Sequence, residues 1–473
     1  MAFSGFPFLL GFLPLLLCGS ALVTARGEIR AKSWLIALSL LFYALAAGSC
    51  LPLLVLSVGG NTVLLRQMYR SPRAGWWAGF GVAANLAVLG WFKYLAPDPI
   101  VPLGLSFVTF TQIGCLLHHA AGDIAPPRIR DYALFAAFFP ALTAGPILNP
   151  SEMLPQFARN GDRDWCPTAD RLAVGFGFFV IGLLKKTVLA DPLAGMAANG
   201  FAEPSALTFL PAWQAACCYS LQLYFDFSGY TDMAIGLAWM FGLRFPDNFD
   251  QPYRATSVID YWQRWHMSLT RFLMTNVHAP VTMAVLRWRR EHGLPIGNAA
   301  QKTVAGFACM IAGPVLLTMA LIALWHGAAW TFLVFGALHS VFLLINHLWR
   351  LHRLPALPRV ASIGLTYLCV LVASVVFRAA DLPSAGSLLA GMAGGQGFGI
   401  ACPDLRDILD VAWLAGLYAI VWTAPTTRQV MQHPAATRPG WRPTPLWAVV
   451  MGCCASAGLL FAGGTGEFLY FRF

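Results

Sequence analysis

Apolar residues run along this chain in windows separated by short polar breaks that hold most of the charge. The windows fall near residues 3–25, 33–48, 50–65, 75–94, 101–121, 170–190, 207–225, 227–243, 303–324, 328–348, 360–378, 408–424 and 444–462. Most match a bilayer-crossing helix, which needs about 20 apolar residues. A further apolar stretch, 132–148, is broken by Pro140 and by Gly145-Pro146, and reads as a segment that dips in and out without crossing. The pattern predicts an all-α polytopic membrane protein with roughly 11–13 transmembrane helices. Three longer polar interruptions stand out. Residues 149–169 form a loop with Glu152, Arg159, Asp162, Arg163 and Asp164. Residues 381–407 are Gly-rich and predict an irregular loop. Residues 244–302 hold many of the charges.

Composition sets the class. Of the 473 residues 58% are hydrophobic and 11% charged, where a soluble domain carries about 25% charged residues. No polar stretch is long enough for a separate soluble domain. The expectation is one membrane domain, 1–473, with N-terminal spans in 1–131, a core in 132–350 and C-terminal spans in 351–473. The net charge of +10 is mostly topological. Arg26, Arg30 and Lys32, then Arg66, Arg70 and Arg73, then Arg128 and Arg130 fall in alternate loops, while 48–51 and 96–101 hold no basic residue. That alternation follows the positive-inside rule and predicts a non-cytoplasmic N-terminus. The leading apolar segment has no Lys or Arg before it and reads as a retained first span, since a secretory signal needs a positive leader. No basic face with interleaved exposed aromatics occurs, so nucleic-acid binding is a poor explanation. The eleven cysteines lie mostly in apolar segments and include no C-x-x-C. They read as small packing residues, and no metal site is expected.

Within 244–302, Val258, Ile259, Trp262, Trp265, Leu269, Phe272 and Leu273 share one face at about 100° per residue, with Arg264 and Arg271 opposite. This predicts an interfacial helix over 258–273, with His266 on its apolar side. Trp325-His326-Gly327 places one imidazole in an otherwise almost wholly apolar run. Ionisable groups at that depth are costly and mark functional candidates, and histidine is well suited to take a proton near neutral pH. An isolated histidine there can equally bond a backbone carbonyl of a neighbouring helix. His326 and His266 are the candidate catalytic pair; two unrelated packed histidines are the plain alternative.

Asp226 and Asp232 sit in the apolar, aromatic stretch YFDFSGYTDMAIG, with Gly229 between them as a possible bend. They read either as part of a polar cavity near the site or, preferably, as an ion-pair network holding helices together, with an arginine such as Arg254. The breakers in 102–107 and 138–146 point to an internal chamber or to plain kinks. Lys185, Lys186, Arg264 and Arg271 are either phosphate-holding cations or snorkelling anchors. Trp325, Trp262, Arg264, Asp226 and Asp232 complete the candidate donor- or substrate-binding set.

Taken together, VPLGLSFVTF, FFPALTAGPI, YFDFSGYTDMAIG, FPDNFDQPYRATSVIDYWQRWHMSLTRFL, LWHGAAWTFLVFGALH and the closing FLYFRF resemble, in order, motifs of the membrane-bound O-acyltransferase family. The resemblance is nearest to the bacterial branch that acylates cell-surface polymers. It implies a fold of tilted, re-entrant and interfacial helices around a central funnel, with His326 at the family's invariant histidine and His266 at its second active-site position. The chain departs from the branch's pattern after His266, where it reads from Phe272 to Pro280 without the usual Pro-Leu-Gly-Gly turn. That departure bears on the donor, partner and acceptor.

The resemblance implies an acyl-CoA-dependent O-acyltransferase of a bacterial inner membrane. Its donor would be acetyl-CoA, with no permanently bound cofactor, and its acceptor the hydroxyls of an extracytoplasmic polysaccharide or glycan. A periplasmic or membrane-anchored partner protein is a further implied component. The alternatives are a long-chain lipid or protein acyltransferase, and a transporter or flippase of a lipid-linked sugar. The last should show paired internal repeats, which the sequence lacks.

Overall fold

The computed structural model describes every residue except 25, 97–100, 160–164, 400–404, 433–439, 464–467 and 470–473. The predicted loop residues Asp162, Arg163 and Asp164, the centre of the 96–101 loop, and the end of FLYFRF lie outside the described residues. Elsewhere the chain is mostly helical, and among the described residues the single β-type contact is an isolated bridge between Phe249 and Trp265. Segments long and apolar enough to cross a membrane are Glu28–Arg70 (two successive helices), Ala74–Leu95, Ala169–Ala202, Val304–His326, Trp330–Leu351 and Arg359–Arg378. Shorter apolar helices span Pro7–Val23, Ile408–Thr423 and Pro445–Leu460. This is an all-α, multi-pass membrane protein.

Three expectations change. The windows 207–225 and 227–243 are one 32-residue helix, Phe209–Met240. Asp226 and Gly229 lower the local hydropathy without breaking it. The predicted helix over 258–273 is two short helices, Val258–Trp262 and Met267–Leu273, separated by a turn. The Gly-rich 381–407 region contains a helix, Leu382–Met392, started by the Asp381 side chain, which accepts the Ser384 backbone N–H at 2.8 Å. Asp before a Pro at the first turn is a helix-start signal.

The chain forms two compact units, each assembled from separate stretches. The first comprises 1–191, 225–248 and 425–473. Several of its buried polar groups are paired: Lys32 Nζ donates to Asp131 Oδ1 at 2.6 Å, and the Asn61 and Asn85 amides bond reciprocally. Pairing of this kind is what a low-dielectric interior requires. Both segments predicted to break helices do so, and they pack on each other. Gly104 adopts a left-handed conformation, φ +73°, just before helix Leu105–Ala121, and a Cβ there would lie 2.2 Å from the Leu142 carbonyl oxygen.

Helix Ala169–Leu184 crosses the 225–240 stretch antiparallel through four glycines. A Cβ on Gly175 would sit 2.6 Å from the Gly236 carbonyl oxygen, and one on Gly182 would sit 2.5 Å from that of Gly229. Small residues allow such backbone approach, which replaces hydrophobic burial as the glue between helices in lipid. Gly182→Val should therefore destabilise the detergent-purified protein by about 1–3 kcal/mol through overpacking. A thermal melt followed by monodispersity reads this, and an unchanged melt would show that the helices do not meet there.

The second unit comprises 192–224 and 249–424. It is knitted by a buried hydroxyl cluster: Tyr253 Oη donates to the Ser220 carbonyl at 2.8 Å, and Tyr367 Oη donates to Ser220 Oγ at 3.2 Å. Both candidate histidines belong to this unit.

Candidate active site

His266 is placed by a tight local architecture. Asp250 N donates to the Arg264 carbonyl at 3.0 Å, and the Phe249 and Trp265 rings meet edge-on at 5.0 Å. Ser257 caps Val258–Trp262 by accepting the Asp260 N–H at 3.1 Å. The start of that helix is pinned to helix Trp330–Leu351 because Asn346 Oδ1 accepts the Val258 N–H at 2.8 Å. After the turn, His266 takes φ +43°, ψ +52° and opens the next helix. A left-handed non-glycine residue costs energy and persists where the surroundings over-determine it, often at functional sites. His266 is 1% exposed. Its segment spans no membrane thickness, and burial pushes its ring pKa down to about 3, so the imidazole is neutral near pH 7.

His326 is the last residue of helix Gly313–His326, which ends because Gly327 turns the chain at φ +153°. A Cβ at Gly327 would come within 3.0 Å of the Phe332 ring. The His326 ring is buried in an aromatic cage. Phe377 stands edge-on at 4.8 Å between centroids, with Trp325 at 4.6 Å, Phe332 at 5.9 Å and Phe335 at 6.2 Å. The two candidate histidines come together through one indole, since the Trp325 ring lies 6.1 Å from the His266 ring. Two residues separated by 60 positions thus flank one buried indole.

A third histidine joins the same wall. His339 is 1% exposed and packs against Phe335 at 4.6 Å. Trp262 Nε1 donates to His339 Nδ1 at 3.2 Å. An indole N–H only donates, so His339 Nδ1 is unprotonated and the ring is the Nε2–H tautomer. Trp262 in turn lines an apolar cavity of about 200 Å³ with Ile259, Thr270, Leu273, Met319 and Ile322. Ile322 lies about one helical turn before His326 on the same helix.

The remaining candidates lie apart from this wall in role. Arg264 is held by Asp260 at 2.7 Å, with Asp250 at 3.8 Å, and acts as an internal brace of the 250–266 turn. Asp226 and Asp232 belong to the first unit and pair with lysines, not with the expected Arg254. Lys186 Nζ lies 2.7 Å from Asp226 and 2.8 Å from Asp191, and Lys185 Nζ lies 2.6 Å from Asp232. Arg254 instead donates to Gln251 Oε1 and the Ala424 carbonyl. Asp226 and Asp232 are thus each ion-paired to a lysine of the same unit.

Comparison with known proteins bears on the family of the chain. The sequence profile of the membrane-bound O-acyltransferase family matches residues 62–290. The chain is 33% identical over 440 residues to the peptidoglycan O-acetyltransferase of Helicobacter pylori, covering 82% of this chain and 79% of that protein. It is 33% identical over 413 residues to a probable alginate O-acetylase of Pseudomonas aeruginosa, covering 81% and 73%. Similarity to a teichoic acid D-alanyltransferase of Bacillus subtilis is 27% over 244 residues, covering 51% and 58%.

Proposed function

This chain belongs to the membrane-bound O-acyltransferase family, and from that premise we propose that it acetylates hydroxyl groups of an extracytoplasmic polysaccharide or glycan, using acetyl-CoA as donor and His326 as general base. The observation that carries the reading is the buried His326–Trp325–His266 cluster at the break after helix Gly313–His326. The acceptor hydroxyl gives its proton to His326 as its oxygen attacks the thioester carbonyl carbon. The tetrahedral intermediate carries an oxyanion. His266, neutral, donates a ring N–H toward that developing charge, a contribution that counts most in a dry, preorganised site. The intermediate collapses with cleavage of the C–S bond, and His326 returns its proton to the departing thiolate. The aromatic cage excludes water and so protects the thioester from hydrolysis.

The names of the relatives, which act on peptidoglycan and alginate, support a glycan acceptor. An inner-membrane location and a non-cytoplasmic N-terminus are further parts of the proposal.

The reading is tested in the source cells by mass spectrometry of surface glycans with and without the protein, complemented by His326→Gln. Loss of O-acetyl groups that only the wild-type chain restores supports it. Unchanged glycan acetylation, with accumulation of a lipid-linked sugar instead, would favour the transporter reading.

A further inference from the structure

A second cavity, whose lining includes neither His266 nor His326, opens between the ends of helices Trp330–Leu351 and Arg359–Arg378 and has a volume of about 600 Å³. Its walls include Phe342, Ile345, Leu357 and Leu365, and its polar side carries Arg350 and Arg359. Among the described residues neither guanidinium has an ion-pair partner. Arg350 makes one long contact, Nη2 to Ser257 Oγ at 3.5 Å. No Asp or Glu occurs in the chain between Glu291 and Asp381, and Asp260 is already held by Arg264 at 2.7 Å. The other polar groups of the lining are taken up: Ser257 Oγ caps Val258–Trp262, Asn346 Oδ1 accepts the Val258 N–H, and Ser362 Oγ donates to the Leu357 carbonyl. Two arginines are thus left without an ion-pair partner on one groove whose remaining surface is mostly apolar.

We propose that this groove binds one anionic phospholipid, its phosphate held by Arg350 and Arg359 and its acyl chains laid along the apolar wall. Guanidinium pairs match phosphate oxygens in geometry and charge. A soluble anion would satisfy the arginines and leave the apolar wall bare. The connecting segment carries Arg350, Arg353 and Arg359 and no acid, the pattern that faces the anionic leaflet. The bilayer therefore supplies the ligand at the place where both halves of the site meet it.

The test uses the full chain in phosphatidylcholine nanodiscs with added phosphatidylglycerol, read by native mass spectrometry. One phosphatidylglycerol should be retained, and Arg350→Ala with Arg359→Ala should weaken retention about 30-fold. Leu357→Trp, which fills the groove while leaving both charges, should weaken it as well. If the double variant does not elute as a monodisperse species, Arg359→Gln and Leu357→Trp decide. Unchanged retention in the folded variants overturns the proposal. So does displacement of the lipid by millimolar inorganic phosphate, which would make this a free-anion site, or by acetyl-CoA, which would make it part of donor binding.

Discussion

Lys186→Met is expected to remove about 3–5 kcal/mol of stability, enough to abolish a monodisperse detergent-solubilised species. Lys186 is 4% exposed and Asp226 1% exposed, and the lysine bridges Asp226 at 2.7 Å and Asp191 at 2.8 Å. Removing the cation leaves a carboxylate inside the protein whose remaining hydrogen bond, among the described residues, is from the Leu469 N–H, at 2.9 Å from Oδ2. An uncompensated buried charge costs far more than the pair contributes. The double variant Lys186→Met with Asp226→Leu should recover most of the loss, because it removes both charges. Recovery stays incomplete, since Asp191 also loses its partner. Size-exclusion profiles and thermal melts of the three proteins check this. Equal stability of Lys186→Met and wild type would mean that the pair is not formed.

His326→Gln should lower the turnover number for acetyl transfer by about 10²–10⁴, the usual contribution of a positioned base, which is about 2.7–5.5 kcal/mol of barrier. The KM for acetyl-CoA should change little, because the lost interaction is made in the transition state. Glutamine keeps a polar side chain of similar reach within the cage of Phe332, Phe335 and Phe377, so the fold should survive. A parallel rise in KM with unchanged turnover would instead make His326 a binding residue.

Much of this architecture is readable along the chain, because hydropathy reports directly which segments a bilayer accepts. The His326 site is legible for the same reason: an imidazole followed by glycine, at the end of an apolar run, is both costly and placed at a break. What escapes the sequence is what depends on distant partners. The 227–243 window merges with its predecessor because Lys186, far off in the chain, neutralises Asp226, and because Gly229 serves a helix crossing where a bend was expected. Periodicity over 258–273 reports the buried face correctly but carries no information on φ, so the left-handed turn at His266 is invisible to it. His339 closes the motif LWHGAAWTFLVFGALH, but its contacts depend on a distant partner. Its partner Trp262 lies 77 positions away. The helix Leu382–Met392 was readable, since Asp381 followed by Leu-Pro-Ser is a capping sequence, yet the surrounding glycines outweighed it.

The most direct test places labelled acetyl-CoA on one side of sealed proteoliposomes containing the full chain and a glycan acceptor on the other. The wild-type protein should transfer label to the glycan across the membrane, and a folded His326→Gln protein should do so at least about 10²-fold more slowly. Transfer at the wild-type rate by the variant would contradict the assignment of residue 326 as the base.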